Sequence, residues 1–334
     1  LAGLRAGVSA HQALPAAPAA LHAGNGRAAA NGRYLGAIEN LSTAVWDGRG
    51  RRRLQRKGWL YFGAFSERTM VGYAVADAGL IANAFVYVYD RQSDTLVEEA
   101  VTRPMGFAAG FAPDWRQPWH LSAGDRQWSV QRSGDGWHVS FQGRRLQLAL
   151  TIHDGSEGLT AVCASPGRPF HHTYKLAGLR ADISGSVDGK ALQTEAGASV
   201  DFSLGYPPRE TQWNWLSVDG HCANGEHIAI NGVAHFLNGF ENALWCDGKV
   251  TPLSQMAFDY DPAQLMQPWQ IRSLDGRVNI VFTPEARRGE HRHVGLLASR
   301  FTQPCGRFEG TVQTAQGPQS VQGYGVVEEH WARW

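Results

Sequence analysis

Apolar residues along this chain come in short bursts separated by turn-forming pairs. The first bursts are Trp59-Leu-Tyr-Phe-Gly-Ala-Phe65, Thr69 to Asp77 and Ile81 to Asp90. In the third, Phe85, Tyr87 and Tyr89 alternate with Val86 and Val88. Both faces are apolar, which predicts a strand buried on two sides. Further strand-like runs follow at 127–132, 136–141 and 145–153. In the second half they recur at 211–218, 227–235, 242–246, 251–260, 278–282, 294–301, 307–314 and 321–328. The pairs Asp135-Gly136, Asp188-Gly189, Asp219-Gly220, Asp247-Gly248 and Asp275-Gly276 read as turns between them. Amphipathic helices are scarce, and the best stretch is a short piece in the first thirty residues. The pattern predicts an all-β protein.

A weak internal repeat divides the chain. Trp128 opens a run through Arg132-Ser133-Gly134-Asp135-Gly136 to Phe141. Trp269 opens another through Arg272-Ser273-Leu274-Asp275-Gly276 to Phe282. The small-residue stretch Gln193–Ser199 has no strand character and marks the expected boundary. The expected organisation is a flexible segment over 1–32, one β-domain over 33–198 and a second over 199–334. Antiparallel domains of this size must close to hide their edges, and a small closed barrel has room for one small ligand.

Composition narrows the function. Of 334 residues 43% are hydrophobic and 18% charged, so a large core is available and disorder is excluded for most of the length. Lys+Arg of 31 against Asp+Glu of 30 leaves no electrostatic footprint for nucleic acid or an anionic membrane. No run approaches the ~20 apolar residues of a membrane span. The start, Leu1 to Asn31, lacks the apolar core of a signal peptide. The basic run Arg49, Arg51, Arg52, Arg53, Arg56 and Lys57 reads as a solvated loop. Cys163, Cys222, Cys246 and Cys305 form no C-x-x-C pair and read as unpaired core thiols, which favours the cytoplasm and argues against zinc. Phosphate loops, dinucleotide fingerprints, G-x-S-x-G elbows and H-E-x-x-H pairs are absent, which disfavours nucleotide-dependent chemistry and standard serine hydrolysis.

The segment Arg209-Glu-Thr-Gln-Trp213-Asn-Trp215 begins a more specific pattern. It continues in Glu241-Asn-Ala-Leu-Trp245, Pro268-Trp269, Phe282-Thr-Pro284 and Gly325-Val-Val-Glu328-Glu329. Together these resemble an uncharacterised bacterial family of unknown function. That family is distantly similar to carotenoid hydratases (hydroxyneurosporene synthase) and AttH-like proteins. The resemblance runs from about Trp59 to Trp334 and implies tandem lipocalin-like (calycin) barrels. The wider superfamily includes hydratases, terpenoid or polyketide cyclases, and members without known activity. The family carries no assigned reaction, so no catalytic residue is transferred from it.

The site must therefore be argued from residue types. Trp213 and Trp215, two apart, share one strand face and make either an aromatic ligand wall or a core pair. Asp201, Arg209, Glu241 and Asn242 flank them in sequence. Apolar surroundings would keep Asp201 or Glu241 protonated and able to protonate an alkene, while Arg209 suits a bridge at the inter-domain linker. His171-His172 with Lys175 is the sharpest polar cluster of the first half, and His172 is a general acid–base candidate. Adjacent histidines point to opposite faces, so at most one reaches a cavity. Asp77 is a further acid candidate, with Tyr73 and Trp245 as further binding residues. Glu328-Glu329-His330 invites a paired-carboxylate glycosidase reading, but a terminal strand more often spends such groups on neighbouring turns. His221, His227 and His235 form no metal motif, and His291 and His293 fall in an Arg- and Gly-rich turn region. The leading expectation is a hydratase, cyclase or isomerase without metal or cofactor, acting on a hydrophobic unsaturated substrate in a barrel pocket. Its rivals are a carrier of a small hydrophobic molecule and a carbohydrate-active or carbohydrate-binding protein.

Overall fold

The computed structural model describes residues 13–24, 26–47, 51–104, 113–164, 167–294 and 297–334. Near the N-terminus β1 (His22–Gly24) pairs with β2 (Arg27–Ala28), and β3 (Gly32–Leu35) follows. Two short helices, α1 (Ala44–Asp47) and α2 (Arg51–Gln55), lead into the first long meander. It comprises β4 (Lys57–Phe65), β5 (Thr69–Asp77), β6 (Ile81–Asp90), β7 (Thr95–Pro104), β8 (Trp119–Ala123), β9 (Arg126–Ser133), β10 (Gly136–Gln142) and β11 (Leu146–His153). Strand β12 (Leu159–Cys163) ties β3 to β13 (His171–Val187), and β14 (Lys190–Gly205) returns to pair with β4. The second meander runs β15 (Glu210–Cys222), β16 (His227–Ala234), β17 (Ala243–Cys246), β18 (Lys249–Pro252), β19 (Met256–Asp259), β20 (Trp269–Ser273), β21 (Val278–Val294), β22 (Leu297–Thr314) and β23 (Gly317–Arg333). In each sheet the last strand pairs with the first, β14 with β4 and β23 with β15. That closure curls each sheet into a barrel and removes its edge there. The protein is nearly all-β, with two barrels in tandem.

Period-two alternation places three cores. Leu60, Phe62 and Ala64 of β4 enter the first barrel with Trp128, Trp137 and Phe141. Tyr61 and Phe65 face the other way, toward the second barrel. In β15, Leu216 and Val218 fill the second barrel with Trp269 and Phe282, while Trp213 and Trp215 meet Tyr61 between the barrels. Strands β4 and β15 are thus buried on both faces. Their near-continuous apolar sequence follows from that position.

Several sequence expectations are corrected. Gln193–Ser199 lies inside β14, and the chain leaves the first sheet between Gly205 and Glu210. Small residues there serve close strand packing, since a Cβ on Gly197 would meet Asp219 Oδ1 at 1.8 Å. Asp219-Gly220 is likewise strand, within β15, while the other four Asp-Gly pairs do turn the chain. His291 and His293 are exposed but belong to β21. Arg49 and the first twelve residues lie outside the described ones. Residues 13–24 and 26–31 show no helix, and Leu21 is fully buried. The basic run is not a solvated loop. Arg53 pairs with Asp77 at 2.6 Å, Arg56 binds Asp47, and Lys57 donates to the Leu54 and Ala78 carbonyls at 2.8 and 2.6 Å. Burial pushes the Lys57 ammonium down to about 8, against the pull of Asp77.

The repeat motif marks equivalent hairpins. Counted from the open end of each sheet, Asp135-Gly136 joins the second and third strands (β9 and β10, after β8) and Asp275-Gly276 does the same (β20 and β21, after β19). In both, the opening tryptophan pairs across the hairpin with the closing phenylalanine, Trp128 with Phe141 and Trp269 with Phe282. All four cysteines are free thiols, and Cys163, Cys222 and Cys305 are buried. Among the described residues no helix is long and apolar enough to cross a membrane.

Candidate active site

A cavity of about 240 Å³ opens between the two barrels, not inside either one. The barrel interiors are already filled by large side chains such as Trp137 and Trp269. Trp59, Tyr61 and Phe85 form the wall contributed by the first barrel. Trp213, Trp215, Phe236, Phe301 and Trp334 form the opposite wall. Trp59 stacks on Trp213 with centroids 6.0 Å apart, and Tyr61 meets Trp215 edge-on at 5.2 Å. The volume falls just under the usual ~300–1,000 Å³ of ligand pockets, which suits a compact ring system.

Into this aromatic chamber the strands deliver an ion cluster. Lys175 of β13 is the direct cross-strand partner of Asp201 in β14, which in turn pairs with Tyr61 in β4. The three side chains therefore share one face, while Tyr174, Phe202 and Phe62 point into the barrel. Lys175 forms an ion pair with Asp201, and its Nζ lies 3.3 Å from Glu241 Oε2. Glu241 arrives from the second half of the chain, just beyond a 3-10 turn at Leu237–Gly239. Its backbone carbonyl accepts a hydrogen bond from Asn231 Nδ2 at 2.8 Å. Asn231 Oδ1 also receives Trp215 Nε1 at 2.9 Å, which fixes that indole. The Lys175 ammonium stands 5.9 Å from the Trp215 ring centroid.

All three charged groups are buried: Lys175 is 3% exposed, Asp201 6% and Glu241 3%. Two carboxylates share one ammonium, so one carboxyl gains by holding a proton. Burial, reinforced by the Glu241 charge, pushes the Asp201 carboxyl up to about 6 despite Lys175. Among the described residues Asp201 Oδ1 has no hydrogen-bonding partner. Burial alone would lower Lys175, but the two carboxylates outweigh it and hold the ammonium charged.

A second polar group lines the far wall. Glu328 of β23 accepts Trp213 Nε1 at 2.8 Å and Gln303 Nε2 at 3.0 Å, and Tyr87 donates to Gln303 Oε1 at 3.1 Å. Nearby, His330 and Ser299 face the same space.

The family can now be stated. A model described as a domain of unknown function (DUF2804) matches residues 12–334. The chain belongs to the DUF2804 family. No curated protein matches its sequence. An AttH-like protein from Nitrosomonas europaea has a similar crystal structure, with TM-score 0.52 and 14% identity over 82% of this chain and 92% of that one. Kievitone hydratase from Nectria haematococca gives TM-score 0.48 and 12% identity over 82% and 88%. CghA with Sch210972 gives 0.44 and 12% over 83% and 88%. The AttH-like structure shows that this DUF2804 chain shares its fold.

Of the residues singled out in the DUF2804 sequence, Asp201, Glu241, Lys175, Trp213 and Trp215 meet in the chamber. His172, Asp77, Tyr73, Asn242, Arg209 and Trp245 do not line it. His172 points into the first barrel against Phe202, is fully buried, and is pushed down to about 3 chiefly by burial. Its neighbour His171 faces the other way and bonds Ser203 Oγ at 2.7 Å. Asp77 holds Arg53 and the Gly79 amide, the latter at 2.8 Å. Tyr73 fills the first barrel, its hydroxyl 3.3 Å from the Ser129 carbonyl. Asn242 braces its own loop through the Val233 amide at 2.6 Å and the Ser254 carbonyl at 3.0 Å. Arg209 is exposed at the passage between the sheets, its carbonyl accepting the Trp334 amide at 2.9 Å. Trp245 packs with Leu159 and Ala177 elsewhere between the barrels and donates to the Glu157 carbonyl at 2.8 Å. Glu328, expected from its terminal strand to serve neighbouring turns, lines the chamber instead, and its place directly after Val326-Val327 is the sequence signal of its burial. Among the described residues no group of three or more His, Cys, Asp or Glu side chains is placed to hold a metal.

The two tryptophan environments give a direct comparison. Trp245→Ala, in a fully packed site, is expected to cost roughly 3–5 kcal/mol. Trp213→Ala removes a ring that partly borders open space, so its loss is expected to be smaller, with weaker binding of apolar dyes. Urea melts and dye titrations of both variants check this; equal stability losses with unchanged dye affinity would refute it.

Proposed function

We propose that the chamber between the barrels is an acid-catalysis site for hydration, cyclisation or isomerisation of a hydrophobic unsaturated substrate, terpenoid- or polyketide-like. One observation carries the reading: a carboxyl group with a raised pKa and an unpartnered oxygen, Asp201 Oδ1, sits in a largely aromatic cavity. A raised pKa keeps a useful fraction of the acid protonated near neutrality.

In the proposed step the Asp201 proton passes to one alkene carbon and the π pair forms the new C–H bond. The cation left on the other carbon is steadied by the faces of Trp213, Trp215, Trp59 and Tyr61. Lys175 stabilises the Asp201 carboxylate that remains and so keeps the acid a strong enough donor, while the Glu241 charge favours the protonated form that acts. Water, an internal double bond or proton loss completes hydration, cyclisation or isomerisation. A sugar substrate would need many accessible polar partners, and the surface the chamber exposes is largely apolar.

The test is deuterium incorporation from D2O into a panel of isoprenoid and polyketide dienes, read by mass spectrometry. Asp201→Asn is expected to lose incorporation by about 10²–10⁴-fold, the usual contribution of a general acid. Because the acid form acts, the wild-type rate is expected to hold below about pH 6 and to fall tenfold per pH unit above it. Equal incorporation by wild type and variant removes Asp201 from the chemistry. Binding without incorporation in either is the outcome a carrier gives.

A further inference from the structure

Ser299 of β22 and the pair Glu328 and His330 of β23 meet at the wall opposite the Lys175 cluster. Strand geometry brings them together. Phe301 is the cross-strand partner of His330, so Ser299, two residues away on the same face, is its diagonal neighbour. Glu328 and His330, also two apart, share that face. Ser299 Oγ lies 2.9 Å from His330 Nε2. On the other side of the ring, His330 Nδ1 lies 3.6 Å from Glu328 Oε1. The Glu328 and His330 side chains are 8% and 14% exposed, and all three residues line the chamber.

The geometry points to Ser299 as a nucleophile toward carboxylic esters with a large apolar part, with His330 as its base and Glu328 as the residue that positions the imidazole. The order hydroxyl to Nε2 and carboxylate to Nδ1 is the one nucleophilic triads use, and such triads are defined by geometry, not by chain order. The 3.6 Å from His330 Nδ1 to Glu328 Oε1 is longer than a hydrogen bond, as such contacts often are before substrate tightens them, and the same oxygen accepts Trp213 Nε1 at 2.8 Å. The missing nucleophile elbow excludes only the strand–turn–helix version of this arrangement; here two neighbouring strands supply it. Arg333, cross-strand partner of Ala298, also lines the chamber and places a positive charge beside this wall.

The chemistry closes. Ser299 Oγ attacks the acyl carbon while its proton passes to His330 Nε2, and the carbonyl π pair moves onto oxygen. Collapse breaks the bond to the leaving alcohol, which takes the proton from His330. Water, losing a proton to His330, then attacks the acyl-serine, and Ser299 leaves reprotonated. An ester and water have become an acid and an alcohol.

This inference does not rest on the proton-transfer reading, because it uses other residues and another reaction. It is tested with a decyl fluorophosphonate, which a reactive serine attacks with loss of fluoride. The expected result is one adduct per chain, mapped by peptide mass spectrometry to Ser299. Ser299→Ala and His330→Gln are expected to label at least 100-fold more slowly. Glu328→Gln is expected to slow the covalent step at least tenfold while the half-saturating probe concentration stays the same. That split separates positioning from mere support of the fold. No adduct on the wild type at saturating probe, or an adduct elsewhere, overturns the proposal. The wild-type mapping decides this even if a variant does not fold.

Discussion

Lys175→Met is expected to lower folding stability by roughly 3–5 kcal/mol, the range found when one partner of a buried ion pair is removed. The size follows from what is left behind. Asp201 and Glu241 are 6% and 3% exposed, and among the described residues Lys175 is the cation that forms an ion pair with each. Two buried carboxylates would then repel each other, and the protein would respond by protonating one or both. The distinguishing result is rescue. Adding Asp201→Asn and Glu241→Gln to the Lys175→Met background removes the charges that lost their partner, so most of the stability should return. A hydrophobic or neutral replacement of a whole buried ionic group is often close to neutral, whereas a half-removed one is not. Chemical denaturation of the four combinations measures the coupling. A loss below about 1 kcal/mol in the single variant, or no rescue in the triple one, would contradict the ion cluster as described.

Acidification from pH 7 to pH 4 is expected to remove roughly 4 kcal/mol of stability through groups in and beside the chamber. His171 and His172 are buried and pushed down to about 3, chiefly by burial, with His172 and Lys175 adding to the effect on His171 and Arg116 to that on His172. An unfolded chain protonates histidine near 6.5. Between about 6.5 and 3 the unfolded state therefore binds more protons, and stability falls as pH falls. Asp201 acts in the opposite sense. Its folded pKa near 6 exceeds the unfolded value, so protonation below pH 6 favours the folded state until about pH 4. Two histidines outweigh one carboxyl, which sets the sign. Urea midpoints at pH 7 and pH 4 measure the loss, and His172→Leu should remove about half of the histidine part. A midpoint independent of pH over this range would contradict the buried, uncharged state of both rings.

Much of the site was legible, and the part that was not has one physical cause. Trp213, Trp215, Asp201, Glu241 and Lys175 were read from residue type and neighbourhood, and they do meet. His172 and Tyr73 were read on the same grounds and point into the first barrel. In a half-buried strand the polar positions reveal the outer face. In β4, β5, the first half of β13 and most of β15 both faces are covered, so the alternation has no wet side to report. Whether residue 172 or 171 meets the chamber is then settled by parity relative to Lys175, and parity needs the register. The all-β class was plain because Asp-Gly turns and alternating runs are local signals, while the tandem lipocalin-like barrels followed from the family resemblance. The split between sheets was not, because β14 carries Ala, Gly and Ser where it packs closely against its neighbours. The long strands β21 and β22 were read as separate pieces because Arg, Glu and His interrupt their apolar residues. The wall of Ser299, Glu328 and His330 depends on a pairing between two strands, which no single segment displays.

The double burial of β4 and β15 also limits how this family can change length. A strand repeats every two residues, so inserting or deleting one residue in either strand reverses all side chains beyond the change. Tyr61 would turn into the first barrel and Phe62 into the chamber; Trp215 would trade places with Leu216. Neither face can absorb such an exchange, since one belongs to a close-packed, largely apolar barrel core and the other to a charged, aromatic wall. Evolution in these strands is thereby confined to substitution, and lineages are free to gain or lose residues only at the turns that join them.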